Sequence, residues 1–428
     1  MSTRSRVAAL SGAAALLSFA CGGPRLKFGP EQSLNTTPGG AAPMFVVSPR
    51  GAEAAAWVSA PGGGSDGSLY ISVDGGPPAV ISDSLGPIEP HGEVPPKLAY
   101  EPDGSLAALY VVARLVPGRR FPATALRFVR SADGGHTWTH PVTVTDNGDF
   151  GSNSFHALHV GIDGTLFASW LDGRDGKAAV FLSRSTDGGV TWEPNRRISA
   201  GQACPCCRTA LATAPGGVVY LAWRDVGAGN LRNIVVARSE DNGKTFGTPR
   251  PVHDDGWVID GCPHAGPSIQ VDASGRLHVI WWTGKAGAAG VWYASSDDGQ
   301  RFTAPVALGV APQSMPAHVQ LAVSPRGRVL ATWDDGTVRT PRVLVRMSAD
   351  RGATFGPAIQ LSTAGQAGEF PVIGVSGDSV IVAWTAQGSQ TYEQQAHAMP
   401  DMKKSGAAMP LRIVGDATVL VRRGRIGA

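Results

Sequence analysis

Short apolar runs separated by Gly, Pro and Asp turns repeat along most of this 428-residue chain, and they alternate as β-strands do. Each unit has a strand, a polar turn and a second strand that ends in an aromatic residue, as in the stretch from Ala157 to Trp170. Seven residues mark these ends: Trp57, Tyr110, Trp170, Trp223, Trp281, Trp333 and Trp384. The pattern predicts four-stranded units that bury their faces only against one another.

A second repeat begins with Ser and Asp and ends with Trp or Phe, and its clearest copy runs from Ser131 to Trp138. The aspartates are spaced by 59, 54, 54, 56 and 53 residues, at Asp74, Asp133, Asp187, Asp241, Asp297 and Asp350. Each copy lies between two strands, which predicts a hairpin turn whose Asp and Ser bind the turn backbone and whose Gly takes a positive φ. We therefore interpret these aspartates as structural rather than catalytic.

A fixed period of this length predicts an all-β fold, a β-propeller of four-stranded antiparallel blades. Seven blades are favoured, and six is the alternative if the stretch from Phe370 to Trp384 completes an earlier sheet. The stretch from Ala417 to Arg422 is a candidate closing strand.

The Asp turns resemble the Asp boxes of sialidase-like, BNR-repeat propellers. The resemblance covers the chain from about Ala42 to the C-terminal region. This resemblance implies a fold, and it leaves the function open.

The first residues are typical of a targeting segment. Arg4 and Arg6 precede an apolar run that is too short to span a membrane, which predicts a signal peptide over residues 1–20. Cys21 follows in a context similar to a bacterial lipoprotein cleavage site, so we expect lipidation there; ordinary secretion is the alternative. Residues 21–41 are predicted to be a flexible linker, and residues 42–428 a single propeller domain in the cell envelope, at the periplasmic or outer surface.

The charge of the chain limits its partners. The formal net charge is +3, and the basic residues are scattered, which argues against nucleic acid. We expect a monomer that meets the membrane only through a lipid at Cys21. No cofactor is required by any of these features.

The repeat also predicts where functional residues gather. The Asp boxes occupy one end of the blades, so the connections between blades lie at the other end, where loops on a rigid scaffold can carry function. The connection from Ser82 to Lys97 contains His91 and Glu93. Inner strands begin where such connections end, which predicts that His156, Arg208, His264 and His318 converge toward the central axis.

Four cysteines lie at this predicted end: Cys204, Cys206, Cys207 and Cys262. In an exported protein they predict two disulfides, either Cys204 with Cys262 and a vicinal pair, or one of the adjacent pair with Cys262. The alternative is a copper or zinc site formed by Cys206, Cys207, Cys262 and His264.

The resemblance to sialidases implies three arginines that hold a carboxylate, an Asp acid/base and a Tyr nucleophile assisted by Glu. The first blade has no arginine where that family carries its first, around Ala42. Tyr392 and Glu393 are candidates for the nucleophile pair, and Asp260 is a candidate acid. The predicted ligand-binding residues are His156, Arg208, Arg224, Arg232, Trp257, Asp260 and His264.

We expect binding of a glycan or another small acidic ligand at this end. The alternatives are an active exo-sialidase, a copper- or zinc-binding envelope protein that uses the cysteines, and an assembly scaffold whose broad polar face contacts another protein.

Overall fold

The computed structural model describes residues 25–36, 38–119, 121–148, 150–312, 314–338, 340–386, 389–390, 412–413 and 416–427. Within them the chain forms seven antiparallel sheets of a β-propeller, so the prediction of seven blades is confirmed. Helical structure in the described residues is limited to one 3₁₀ turn, Ala228–Asn230. No helix among the described residues is long and apolar enough to cross a membrane.

Each blade runs from an inner strand at the axis to an outer strand at the rim. Blade 1 contains Gly40–Val47, Glu53–Ser59, Ser68–Val73 and Ala79–Ile81. Blade 2 contains Lys97–Tyr100, Leu106–Arg114, Ala123–Ser131 and Val142–Thr143. Blade 3 contains Asn153–Val160, Leu166–Asp172, Ala179–Ser185 and Arg196–Arg197.

Blade 4 has an interrupted inner strand, Gln202–Ala203 with Ala210–Ala214, followed by Val218–Val226, Ile234–Ser239 and Arg250–Pro251. Blade 5 contains Ser268–Val271, Leu277–Thr283, Gly290–Ser296 and Val306–Val310. Blade 6 contains Val319–Val323, Val329–Asp335, Arg342–Ser348 and Ile359–Gln360. Blade 7 contains Gly368–Ser376, Ser379–Ala386 and Thr418–Ile426, with a small separate pair, Ser389–Gln390 and Arg412–Ile413.

The aromatic end markers hold the blades together. The tryptophans at positions 170, 223, 281, 333 and 384 are among the largest fully buried side chains. Trp223 of blade 4, for example, packs in one cluster with Phe167 and Leu182 of blade 3. Truncating such a side chain to Ala costs about 3–5 kcal/mol, because the neighbouring blades cannot close the gap.

The N-terminal segment closes the propeller, which corrects two predictions. Leu26–Phe28 pairs with Thr418–Ile426 as the outer strand of blade 7, and Gln32–Ser33 pairs with the same strand. This part of the predicted linker therefore belongs to the domain, because Leu26 and Phe28 pack on the blade 7 core. The candidate closing strand, predicted from Ala417 to Arg422, is Thr418–Ile426, and it is the third strand of blade 7. Since its outer strand comes from the other end of the chain, blade 7 needs no Asp-box hairpin.

Candidate functional site

The Asp-box turns bind their own backbone. The carboxylate of Asp133 accepts hydrogen bonds from the amide and hydroxyl of Thr137, at 2.9 and 2.6 Å, and from the hydroxyl of Ser131 at 2.8 Å. Equivalent contacts form at Asp187, Asp241 and Asp350. These bonds, that from the Thr137 hydroxyl foremost, hold the pKa of Asp133 below its usual range. The geometry matches a structural role.

The turn of blade 5 uses a different aspartate from the one that the spacing predicts. The hydroxyl of Ser296 donates to Asp298 at 3.0 Å, and the amide of Arg301 donates to the same carboxylate at 2.8 Å. Asp297 instead accepts two hydrogen bonds from Arg276, at 2.7 and 2.9 Å. Arg301 stands where the other boxes carry Thr, so the usual hydroxyl contact is replaced and the turn shifts by one residue.

The connections between blades lie at the other end of the strands, as predicted, and we call this end the loop face. In blade 4, Val219 pairs with Ser239, which begins the Asp-box turn, whereas Arg224 lies at the opposite end of the same strand. The amide of Cys204 donates to the carbonyl of Arg224 at 2.9 Å. The cysteine-rich connection is therefore on the loop face.

Side chains from blades that are not neighbours meet on this face. Arg208, at the start of blade 4, donates to the carbonyl of Val319 in blade 6 at 2.5 Å. A Cβ added to Gly92, before blade 2, would lie 2.3 Å from the ring of Phe370 in blade 7. Such contacts are possible only across the centre of the wheel. We call the ionisable residues there the axial cluster: His91, Glu93, Lys97, His156, Arg208, His264, His318 and Asp334.

Glu93 is the central carboxylate of the axial cluster. It is fully buried, and its oxygens lie 3.3 Å from the Arg208 guanidinium and 3.5 Å from Nε2 of His318. Neither oxygen has a hydrogen bond of good geometry within the described residues. Nδ1 of His318 lies 2.5 Å from Oδ2 of Asp334, which also accepts the amide hydrogen of Phe370 at 3.0 Å. The cluster is a buried network of charges with unused acceptor capacity.

Aromatic rings complete the cluster. His91 and His264 are stacked with ring centroids 5.8 Å apart, and Phe155 packs edge-on against His91 at 5.7 Å. Bulges at the start of the inner strands aim these residues: register shifts occur in blades 1, 3 and 7. Positive φ angles mark the same places, 55° at Ala42 and Phe155, 54° at Phe370, and 49° at His264 before blade 5.

Burial and neighbouring charges shift several pKa values in the axial cluster and at Glu369 beside it. Burial, with a smaller effect of Arg208, lowers the pKa of Lys97 to about 7. For His318, burial favours the neutral ring, but Asp334 and Glu93 outweigh it and raise the pKa. Burial and the charge of Asp334 raise the pKa of Glu369 to about 7. Perturbed groups gathered in one place are typical of functional sites.

A cavity of about 350 Å³ opens on the loop face between blades 1 and 2. Its wall is largely apolar and carries three charged side chains, Asp66, Glu89 and Arg114. Burial raises the pKa of Glu89 to about 7, against an opposing hydrogen bond from Ser154. The short stretch from Glu89 to Glu93 leads from this cavity into the axial cluster. Glu89 and Arg114 were not predicted from the sequence, since neither belongs to a motif.

Three predicted ligand-binding residues lie beneath the loop face. Arg224 is fully buried and donates to two backbone carbonyls, including that of Trp282 at 2.6 Å. Trp257 is 6% exposed and packs edge-on against Trp282 at 5.2 Å, and Arg232 is 5% exposed. These three side chains join blades 4 and 5 and keep almost no surface for a ligand from solvent.

The remaining candidates are divided between the loop face and parts of the chain outside the described residues. His156 is fully buried, with Nε2 3.3 Å from the carbonyl of Leu109, and His264 is half-buried. Asp260 is exposed on the connection before blade 5. Tyr392, Glu393 and Cys21 lie outside the described residues.

The cysteines form a cluster and not the predicted disulfides. Cys204, Cys206, Cys207 and Cys262, all within the described residues, are unbridged. The Sγ atom of Cys204 lies 3.2 Å from that of Cys207 and 3.8 Å from that of Cys206. These three buried thiols are close enough to hold one metal ion. The disulfide prediction is corrected because the loop turns three sulfurs toward one point instead of aligning pairs.

Comparisons with known proteins agree with this fold. A family model described as a BNR repeat-like domain matches residues 79–257. A sialidase from Micromonospora viridifaciens is 29% identical over 283 residues, which cover 55% of this chain and 41% of the relative. The chain thus spans less than half the length of that relative.

Solved structures with the same fold include a protein of unknown function from Dyadobacter fermentans, with a TM-score of 0.53 and 15% identity, covering 94% of this chain and 99% of that one. An α-L-arabinofuranosidase from Fusarium graminearum has a TM-score of 0.51 and 15% identity, covering 80% and 98%. At these identities the likeness concerns the fold. Together with the Asp boxes and the matching repeat model, it leads to one conclusion: the chain is a seven-bladed β-propeller that resembles sialidase-like propellers built from BNR repeats.

Proposed function

We propose that this protein binds a glycan or another small acidic ligand on its loop face, in the cavity between blades 1 and 2 and toward the axial cluster. The observation that carries the proposal is the continuity of the two features through the stretch from Glu89 to Glu93. The cavity volume of about 350 Å³ falls in the range of small-ligand sites. The sialidase relative and the arabinofuranosidase, which was solved with an iminosugar inhibitor, support a carbohydrate ligand by analogy of fold.

Arg114 is the residue that we expect to anchor an acidic group. It is exposed at the cavity, and its guanidinium carbon lies 4.1 Å from the centroid of the Phe150 ring, which limits its motion. Guanidinium groups bind carboxylates through two parallel hydrogen bonds. The Glu89 carboxyl and the apolar wall would contact sugar hydroxyls and the ring face. Toward the axis, the half-buried His264 provides a further donor, and neither copper nor zinc is required for this binding.

A thermal-shift and glycan-array screen with uronic acids, sialic acids and neutral sugars tests the proposal. We expect an acidic sugar to bind, and Arg114→Ala to weaken that binding by about 10-fold or more, the loss of a charged hydrogen bond. Arg301→Ala is the matched control, because its side chain is 92% exposed on the Asp-box side. The proposal fails if no sugar or acidic ligand binds, or if the two variants have equal effects.

The exo-sialidase alternative depends on Tyr392 and Glu393. Turnover of a fluorogenic sialoside by the purified protein, abolished in Tyr392→Phe, would replace the binding proposal with a catalytic one. We expect no turnover, because the first blade lacks the arginine that the family carries there.

Export and anchoring remain part of the proposal. We infer that residues 1–20 direct export from a bacterial cytoplasm and that Cys21 carries a lipid, so that a monomeric propeller is held in the cell envelope without a nucleic-acid partner. Labelling cells with a radioactive fatty acid tests this inference. We expect label in the wild-type chain and none in Cys21→Ser, and equal labelling of both would contradict it.

A further inference from the structure

The cysteine-rich loop interrupts a strand that would otherwise be continuous. In blade 4, Ala203 pairs with Asp225, and pairing resumes at Ala210 opposite Ala222. The insertion, residues 204–209, faces only residues 223–224 of the partner strand. Such an insertion interrupts the ladder hydrogen bonds of the inner strand, and the glycan-binding proposal does not explain it.

The insertion buries three thiols around one point. Cys204, Cys206 and Cys207 are 0%, 4% and 1% exposed, and their sulfurs all lie within 4.8 Å of one another. Half-buried Phe155 and Val226 pack against them, so water has little access. Contacts with the other two thiols, and then the charges of Arg224 and Arg232, lower the pKa of Cys204 to about 3. Three sulfurs held this close can bind one metal ion through their thiolate forms.

A buried cation faces this cluster without a full set of partners. The carbonyl of Arg232 accepts a hydrogen bond from Arg224, whose own carbonyl accepts the amide hydrogen of Cys204. The Nε and Nη1 atoms of Arg232 are buried without a hydrogen bond in the described structure. Its Nη2 donates to the carbonyl of Ile259 at 3.2 Å. An isolated buried cation is costly, so a compensating negative charge is expected next to it. A metal bound by several thiolates carries that charge.

A fourth sulfur lies at the mouth of the cluster. The thiol of Cys262, on the exposed connection before blade 5, interacts with that of Cys206. It is not within the group of three sulfurs that converge. Cys262 is thus placed to deliver an ion from solvent to the three buried thiols rather than to complete a tetrahedral set.

We propose that Cys204, Cys206 and Cys207 bind one copper(I) ion. Thiolates select soft metals, of which copper(I) and zinc are the usual choices. Structural zinc takes four ligands in a tetrahedron, whereas the buried set here contains three. Binding releases the remaining thiol protons to solvent and leaves an anionic complex, which Arg232 offsets. No change in the oxidation state of copper or sulfur is involved.

Competition with the coloured bicinchoninate complex of copper(I), under anaerobic and reducing conditions, tests the site on the full chain. We expect the protein to remove one copper(I) per chain, with an X-ray absorption spectrum showing sulfur ligands only. Cys206→Ser and Cys207→Ser, made separately, should each weaken binding by more than the roughly 10–100-fold effect of an outer-shell change. Arg232→Gln should weaken copper(I) binding by an amount within that 10–100-fold range.

Cys262→Ser is the matched control, and it should keep the stoichiometry and load more slowly. Three results would overturn the proposal: no copper(I) taken up by the wild-type chain, pairwise disulfides in protein purified anaerobically, or tight zinc binding that needs all four cysteines. The wild-type spectrum decides the matter even if a cysteine variant fails to fold. Glycan binding is measured separately, so failure of either proposal leaves the other testable.

Discussion

The two ends of this propeller satisfy their charged groups in opposite ways. At the Asp-box end, the box carboxylates Asp133, Asp187, Asp241 and Asp350 are exposed and bind the backbone of their own turns, so these contacts come from residues at most four positions away in the chain. On the loop face, Glu93 is fully buried and its partners Arg208 and His318 come from other blades. Local hydrogen bonds lower the carboxyl pKa values at the first end, whereas burial is the main cause of the shifts at the second.

This difference separates scaffold from site. The carboxylate contacts of such a turn can be repeated in several blades, because they form within the turn itself. A buried charge network occurs once, because its members must meet at a single point. On the loop face, the Glu93 oxygens lack hydrogen bonds of good geometry, and burial shifts the pKa values of Lys97 and Glu89 to about 7. Groups of this kind are available to a ligand that binds there.

The two ends should differ most in the unfolding free energy that is lost when one carboxylate charge is removed from each. Glu93→Gln leaves Arg208 and His318 buried with a neutral partner, which should cost about 3–5 kcal/mol of unfolding free energy. Glu240→Gln is the control: this carboxylate, 73% exposed, pairs with Arg238 near the Asp box of blade 4. Its loss should be under about 1 kcal/mol. Urea denaturation measures both, and similar losses would break the comparison.

Stability should depend on pH through Glu89. Its folded pKa is raised from 4.5 to about 7, so the unfolded chain binds fewer protons between these values and stability falls as the pH rises through this window. Glu89→Gln should remove this part of the pH dependence. The size of the pKa shift limits that part to about 3 kcal/mol of unfolding free energy. Unfolding free energies at pH values from 4 to 8 check this. The difference in stability between wild type and Glu89→Gln isolates this carboxyl from the buried histidines, whose pKa values are lowered. A difference that grows in favour of the wild type as the pH rises would contradict the prediction.

The Asp boxes should show a smaller effect with the opposite pH dependence. Asp187→Ala removes hydrogen bonds from Thr191 and Ser185, at a cost of about 1 kcal/mol. The pKa of Asp187 is lowered in the folded state, where hydrogen bonds outweigh partial burial. Its stabilising effect is thus present above the unfolded pKa of about 3.9 and is lost as the pH falls below it. Acid titration of wild type and variant, followed by circular dichroism, measures the difference.

The smallest effect distinguishes two adjacent residues in blade 5. Asp298→Ala removes the carboxylate that binds the turn backbone, and we expect a loss of about 0.5 kcal/mol. Asp297→Ala removes only an exposed ion pair with Arg276 and should leave stability unchanged within error. Thermal unfolding of both variants compares them. A larger loss of stability for Asp297→Ala than for Asp298→Ala would contradict this prediction. It would indicate that Asp297 binds the turn, as the sequence spacing predicts.

The sequence by itself determined the repeat and the two ends of the wheel, and it favoured seven blades over six. Strand alternation and turn chemistry act within a few residues, so they can be read from the chain without its fold. The same local reasoning predicted that His156, Arg208, His264 and His318 lie on the loop face and converge toward the axis. It failed at Asp297, where one Thr is replaced by Arg, and at Leu26 and Phe28, whose apolar alternation is hidden among Gly and Pro.

Only the tertiary structure decided which of the predicted ligand-binding residues are enclosed between blades. The sequence predicts ligand binding for Arg224, Arg232 and Trp257 as it does for Arg208 and His264, yet the first three are buried between blades, whereas the others reach the axis. Bulges at Phe155 and Phe370 and the close approach at Gly92 set those directions, and they depend on blades far apart in the chain. The convergence of three sulfurs in blade 4 has the same origin. Contacts across the centre of a closed ring are fixed by the packing of all seven blades, which no local pattern contains.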